Sequence, residues 1–191
     1  MRNEDLHLEV EHAYKTLKKG GLILYPTDTV WGIGCDASNY EAVKKIYKLK
    51  QRDDSKALIC LVNNYSMLEK HVDTVPPIAY DILDVAIQPT TIIYDNPAGV
   101  AENLIANDNT LAIRIVKHSF CEQLIRLLRK PLVSTSANIS GQPTPKSFEE
   151  ISDDILKGVD YVVNLQDQKK DTKPSSIIKL GNDGIVKIIR A

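Results

Sequence analysis

A chain of 191 residues has room for one hydrophobic core, so a single domain spanning residues 1–191 is expected. With 43% apolar side chains, 26% charged ones and a net charge of −1, it reads as an ordinary soluble globular protein. That balance excludes wholesale electrostatic capture of nucleic acid, although it leaves room for a local basic patch.

Apolar positions Leu6, Val10, Ala13, Tyr14 and Leu17 recur at helical spacing, and Gly20-Gly21 stops that helix. The segment before them, "MRNEDLHLEVEH", is charged and carries no export signal, and no apolar run approaches a membrane span. A cytoplasmic protein with no membrane partner is expected. "LILYP" reads as a short buried strand ended by Pro26, and "NYEAVKKIYKLK" as a helix with Asn39 as its N-cap. "ALICLV" follows as a strand, and Pro76-Pro77 opens a helix reaching about Leu83. "TTIIYD" and "TLAIRIV" are strands and Phe120–Leu128 a helix. "PLVST", "DYVVNL", "SSIIKL" and "GIVKIIR" add four more strands, the last two joined as a hairpin by the "NDG" turn. Helices alternating with strands, closed by a hairpin, predict an α/β fold on a twisted mixed parallel/antiparallel sheet with flanking helices. The polar stretch from Leu165 to Ser176 is read as a surface loop and the most mobile segment.

Four features carry possible chemistry. In the second helix Val43, Ile46 and Tyr47 form the apolar stripe, and the next position at that spacing is Lys50. A lysine there snorkels past the helix end or reaches into a cleft for an anion. Arg52 and Lys56 follow in a tight turn, and three cations at a helix–strand junction suit a phosphate chain. Asp53 and Asp54 lower the local charge, which argues against a broad nucleic-acid patch. "PTDTVWGIG" places Thr27, Asp28 and Thr29 just beyond a strand end, where α/β sheets bind ligands; its bland reading is a Thr/Asp turn. "PLVSTSANISGQPTP" crowds Ser134, Thr135, Ser136, Asn138 and Ser140 after a strand, and Thr172, Ser175 and Ser176 form another hydroxyl group before one. Finally, Arg114 shares its strand face with Ala112, either exposed or paired with a ligand carboxylate.

Other motifs fail. Gly32 to Ala37 fits G-x-G-x-x-A, but Thr27 to Trp31 separate it from the strand end that a dinucleotide fingerprint needs. There is no P-loop, no nucleophile elbow and no triad order. Cys35, Cys60 and Cys121 lack a C-x-x-C pair, and His7, His12, His71 and His118 form no ligand pattern. A reducing compartment and no protein-ligated transition metal are expected.

"PTDTVWGIGCDA", Lys50-x-Arg52 followed by Lys56-Ala57-Leu58, "TLAIR", "STSANISG" and the closing "SSIIKL…IIR" occur in this order from about Gly20 to Arg190. Together they resemble the YrdC/TsaC family, the threonylcarbamoyl-AMP synthases, in its short single-domain form. The resemblance implies a deep, positively lined cleft and a reaction joining ATP, L-threonine and bicarbonate into threonylcarbamoyl-adenylate and pyrophosphate. The product serves a threonylcarbamoyl transferase complex that modifies adenosine beside the tRNA anticodon, and a weak contact with tRNA itself is compatible with it. Mg²⁺ would ride on the ATP phosphates with mostly water ligands. Lys50 and Arg52 are then the catalytic candidates. Lys50, Arg52, Lys56, Thr110, Asn138, Lys146 and Arg190 fall at ATP-binding positions, and Thr29, Arg114, Ser136 and Ser176 at threonine-binding ones. Departures are visible: Trp31 replaces tyrosine, Pro174 an acidic residue and Ser176 a threonine. "AIQPTTII" keeps only Pro89 and Thr90 of a Trp-Pro-Gly-Pro-Thr block. That last change is the best support for an alternative, a YciO-type paralogue with the same cleft and another reaction. Two further alternatives are a non-catalytic RNA-binding module and a carbamoyl-adenylate former like the related domain of hydrogenase-maturation proteins.

Overall fold

The computed structural model describes residues 3–52, 58–165 and 173–191. Lys56, Thr172 and most of the loop from Leu165 to Ser176 lie outside the described residues. Helix α1 (Asn3–Lys18) buries Leu6, Val10, Ala13 and Leu17 on one stripe, and Gly20 at φ +73° turns the chain after it. Strand β1 (Ile23–Tyr25) follows, and then β2 (Gly32–Gly34), a strand that the sequence pattern does not predict. Helix α2 (Tyr40–Leu49) starts where the Asn39 side chain accepts from the Ala42 N–H, as expected. After β3 (Ile59–Val62) comes an unexpected short helix, α3 (Tyr65–His71), and then α4 (Pro77–Val85). Next are β4 (Thr90–Asp95), β5 (Thr110–Ile115), α5 (Ser119–Leu128) and β6 (Leu132–Ser136). The chain ends with a second unexpected helix, α6 (Asp153–Gly158), then β7 (Tyr161–Val162), β8 (Ser176–Leu180) and β9 (Val186–Arg190).

Among the described residues nine strands form one sheet in the order β7-β1-β2-β6-β3-β5-β4-β8-β9. Three neighbouring pairs, β1–β7, β3–β5 and β4–β8, run parallel and the others antiparallel, so the predicted mixed sheet with flanking helices is present. Side chains alternate between its faces. On one face Leu24, Ile33, Cys60, Val62, Ile92, Ile113 and Val133 pack with α2 and with Leu68, Ala79 and Ile155 of α3, α4 and α6. On the other face α1 and α5 pack over Ile23, Tyr25, Leu61 and Leu132. Beyond the helices that second face presents Gly32, Ile59, Ser134, Ala112, Arg114, Ile93 and Ile177, from β2, β3, β6, β5, β4 and β8, and these border a cleft instead.

Strand β2 is only three residues long, yet it bridges β1 and β6. A Cβ on Gly34 would lie 2.4 Å from the Val133 carbonyl oxygen and 2.7 Å from Tyr25 Cε1. Backbone cannot step aside as a flexible side chain can. Gly34→Ala is therefore expected to destabilise the fold by about 1–3 kcal/mol, the range for overpacking a close-packed interior. Urea unfolding checks this, and an unchanged midpoint would contradict it.

Candidate active site

The end of α2 is built to turn sharply. Gln51 takes a left-handed conformation (φ +49°), Arg52 N–H bonds back to Tyr47 O at 3.0 Å and Gln51 N–H to Lys48 O at 3.1 Å. This double closure is a Schellman motif, usually made with glycine. It ends the helix at Lys50, which is 1% exposed. The Lys50 ammonium does not reach open solvent. It donates to the Ser136 carbonyl and, at 2.6 Å, to the Asn138 carbonyl, while its own carbonyl accepts from Ser140 N–H at 2.8 Å. Lys50 thereby fastens α2 to the loop that follows β6. Asn138 closes the same loop by donating to Ile139 O and Gln142 O, leaving its Oδ1 buried and, among the described residues, without a hydrogen-bond partner.

Beside this lock lies a cleft of about 280 Å³. Thr29, Arg52, Arg114, Ser136 and Arg190 border it, so it draws together five of the residues singled out from the sequence. Three of them are arginines, and among the described residues no carboxylate belongs to the lining. Burial lowers the pKa of Arg52, and burial together with the nearby charge of Arg114 lowers that of Arg190. A space framed by three guanidiniums favours an anion with several oxygens.

Arg114, Arg190 and Thr29 are each held in place. Arg114 is 3% exposed and gives Nη2 to Asp28 Oδ1 at 3.0 Å. Arg190 Nε donates to Ser175 O at 2.8 Å, and Ser175 Oγ meets Thr91 Oγ1 at 2.8 Å. Thr29 sits in a turn whose hydroxyl geometry is directional. Thr27 Oγ1 donates to Val30 O at 2.8 Å and accepts from Thr29 N–H at 3.0 Å. Its single proton is thereby used, so in the 3.0 Å contact between the two hydroxyls Thr29 is the donor. Thr29 consequently offers lone pairs to the cleft, which suits an N–H of a ligand.

Other predicted residues lie outside the lining. Thr110 shares the strand face of Ala112 and Arg114, but its hydroxyl donates to Asp108 at 2.7 Å. Lys146 is exposed, its backbone N–H bound to Glu150. Ser176 turns its hydroxyl to Thr90 at 3.2 Å, whereas its neighbour Ser175 borders the cleft. Alternation along β8 decides which of the two faces inward. Ser134, Thr144 and Ser175 also line the cleft without having been assigned a role from sequence. A second cavity, about 560 Å³, lies on the far side of Asp28, between Tyr65, Asp84, Ile87 and Lys117. It is larger, but its charges are of mixed sign and Asp84 already accepts from Tyr65. Among the described residues no group of three His, Cys, Asp or Glu lies together, and no helix is long and apolar enough to cross a membrane.

Residues 15–191 match the family model Sua5/YciO/YrdC, described as telomere recombination. The chain belongs to the Sua5/YciO/YrdC family. Threonylcarbamoyl-AMP synthase of Pseudoalteromonas translucida is 36% identical over 170 residues, covering 86% of this chain and 89% of the relative. That of Vibrio campbellii is 32% identical over 182 residues, covering 90% and 98%. Among solved structures, P. abyssi Sua5 complexed with L-threonine superposes with a TM-score of 0.79 at 26% identity. The match covers 90% of this chain and 50% of that one, so the chain spans half the length of that protein. E. coli YciO gives a TM-score of 0.83 at 25% identity, covering 97% and 89%.

Within this Sua5/YciO/YrdC fold the Lys50 lock has a measurable pH signature. Burial first, and the charge of Arg52 second, lower the Lys50 pKa from 10.5 to about 8. Between those values the unfolded chain holds the proton and the folded one does not, so this group's contribution to stability rises with pH through that window. A neutral amine still has two N–H groups for the two carbonyls. The stability gap between the parent and Lys50→Met is therefore expected to widen from about pH 7.5 to about pH 10. Urea titrations across this range check it, and a gap that narrows would contradict the assignment.

Proposed function

We propose that this chain is a threonylcarbamoyl-AMP synthase that joins L-threonine, bicarbonate and ATP into threonylcarbamoyl-adenylate and pyrophosphate. The observation that carries the reading is the cleft framed by Arg52, Arg114 and Arg190 with the Thr29 hydroxyl turned as an acceptor. It is supported by the synthase names of relatives 32–36% identical over most of the chain, and by the related Sua5 structure that holds L-threonine.

In this reading the amino acid lies against Arg114, which takes its carboxylate, while Thr29 accepts from its nitrogen and Ser136 and the Ser175-Ser176 pair close around it. Arg52 and Arg190 follow the nucleotide, and Lys56, Thr110, Asn138 and Lys146 are assigned to it from the sequence. Mg²⁺ enters on the ATP phosphates as part of the substrate. The amine of threonine adds to CO₂, which bicarbonate supplies by losing hydroxide, and it loses a proton to give a carbamate, so that one water is released for each bicarbonate used. A carbamate oxygen attacks the α-phosphorus, and the bond to the β-phosphate oxygen breaks to release pyrophosphate. No side chain has to form a covalent intermediate. The enzyme's part is to hold the two reactants in line and to offset charge at the pentavalent centre and on the leaving group. Arg52 does so directly. Lys50, with its ammonium on two carbonyls, acts by fixing the loop that carries Ser136 and Asn138. The product would pass to a threonylcarbamoyl transferase complex acting on tRNA, in the cytoplasm.

The test is pyrophosphate release from Mg-ATP and bicarbonate with and without L-threonine. Threonine-dependent release is expected, and release without amino-acid dependence, or none from folded protein that binds ATP, would instead favour a paralogue with another reaction. Arg52→Ala is expected to lower turnover by more than about tenfold, because it removes charge stabilisation from the transition state. Arg114→Ala is expected chiefly to raise KM for threonine, and an unchanged KM would remove that assignment.

A further inference from the structure

We propose that Asp28 is a positioning residue for the amino-acid substrate, acting through Arg114; this rests on the reading of the cleft as the amino-acid site. The two side chains form an ion pair at 3.0 Å with only 4% and 6% of their surfaces exposed. They come from distant parts of the chain, Asp28 from the turn between β1 and β2 and Arg114 from β5. The second oxygen of Asp28 accepts from the Lys117 N–H at 3.2 Å, so one carboxylate ties that turn to both Arg114 and the segment just past β5.

The two partners face different spaces. Arg114 borders the 280 Å³ cleft and Asp28 does not; Asp28 borders the 560 Å³ cavity behind it. The carboxylate thus grips the guanidinium from the side away from the cleft. A guanidinium is flat and its donors are fixed relative to one another, so holding one nitrogen constrains the plane of the rest. Among the described residues the buried Arg114 Nε has no hydrogen-bond partner, which leaves a donor unsatisfied until an acceptor arrives. Asp28 also removes the cost of a buried unpaired cation before substrate binds. With Asp28 lost, the guanidinium keeps its charge but not its orientation, and it turns toward other acceptors. Its hold on a carboxylate is a contact made alike in ground and transition states, so the loss falls on KM rather than on kcat.

The variant Asp28→Asn keeps the shape and removes the charge. In the pyrophosphate assay it is expected to raise KM for threonine about tenfold, with kcat within about threefold and KM for ATP unchanged. A purely structural role would instead lower the active fraction and leave KM for threonine in place. The second arm is a cycle with Arg114→Met. In that background Asp28→Asn is expected to add no further rise in KM, because the two act as one unit. Should Asp28→Asn fail to fold, Asp28→Leu/Arg114→Met replaces the buried pair with apolar groups; it is expected to fold and to show the same KM for threonine as Arg114→Met alone. Equal effects on both substrates, independent effects in the cycle, or an unchanged KM for threonine would overturn the role of Asp28 while leaving the synthase reading intact. Absence of threonine dependence in the parent chain would overturn both.

Discussion

The second face of the sheet is wider than α1 and α5 can cover, and the rest of the molecule follows from what happens at the boundary. Under the helices the strands present Ile23, Tyr25, Leu61 and Leu132. Past them the face presents Gly32 of β2, Ser134 of β6 and Ala112 and Arg114 of β5. An uncovered apolar face would be a liability for aggregation, whereas small and polar residues there leave a solvated cleft. The fold therefore supplies a rigid floor, with one wall from the turn after β1 and another from the loop after β6. Both walls are fastened by buried charge: Asp28 to Arg114 on one side, and Lys50 to the Ser136 and Asn138 carbonyls on the other.

Those fastenings stabilise little for their own sake. Burying ions costs as much as their attraction returns, yet breaking such a pair by removing one partner costs about 3–5 kcal/mol. Their value lies in geometry. Each fixes the direction of a group that would otherwise wander, and beside each a buried atom, Arg114 Nε or Asn138 Oδ1, has no hydrogen-bond partner among the described residues. Groups left in that condition are the ones a ligand can satisfy.

Much of this was legible in the chain before folding. Asn39 marked the start of α2, Pro76-Pro77 the start of α4, and the stripe Val43, Ile46, Tyr47 correctly placed Lys50 on the buried side. Alternation in "TLAIRIV" placed Arg114 with Ala112. Strand β2 was not legible, because Gly-Ile-Gly has no strand preference and is extended only through its pairing with β1 and β6. The fingerprint-like spacing of Gly32 and Gly34 reflects that close packing, with Gly34 pressed on Val133 and Tyr25. Helices α3 and α6, of 7 and 6 residues, are too short for a periodic signal. The partners of the site residues were hidden for another reason. Lys50 reaches carbonyls 86 and 88 positions away, and Arg114 a carboxylate 86 positions away, so only the topology names them.

In the proposed reaction Arg114, held from behind, receives the amino acid while Arg52 and Arg190 follow the nucleotide. A crystal structure grown with L-threonine and a non-hydrolysable ATP analogue tests it most directly. The account predicts the threonine carboxylate on Arg114, its nitrogen beside Thr29 Oγ, and the phosphates between Arg52 and Arg190. Threonine seated in the larger cavity beyond Asp28, with Arg114 untouched, would contradict it.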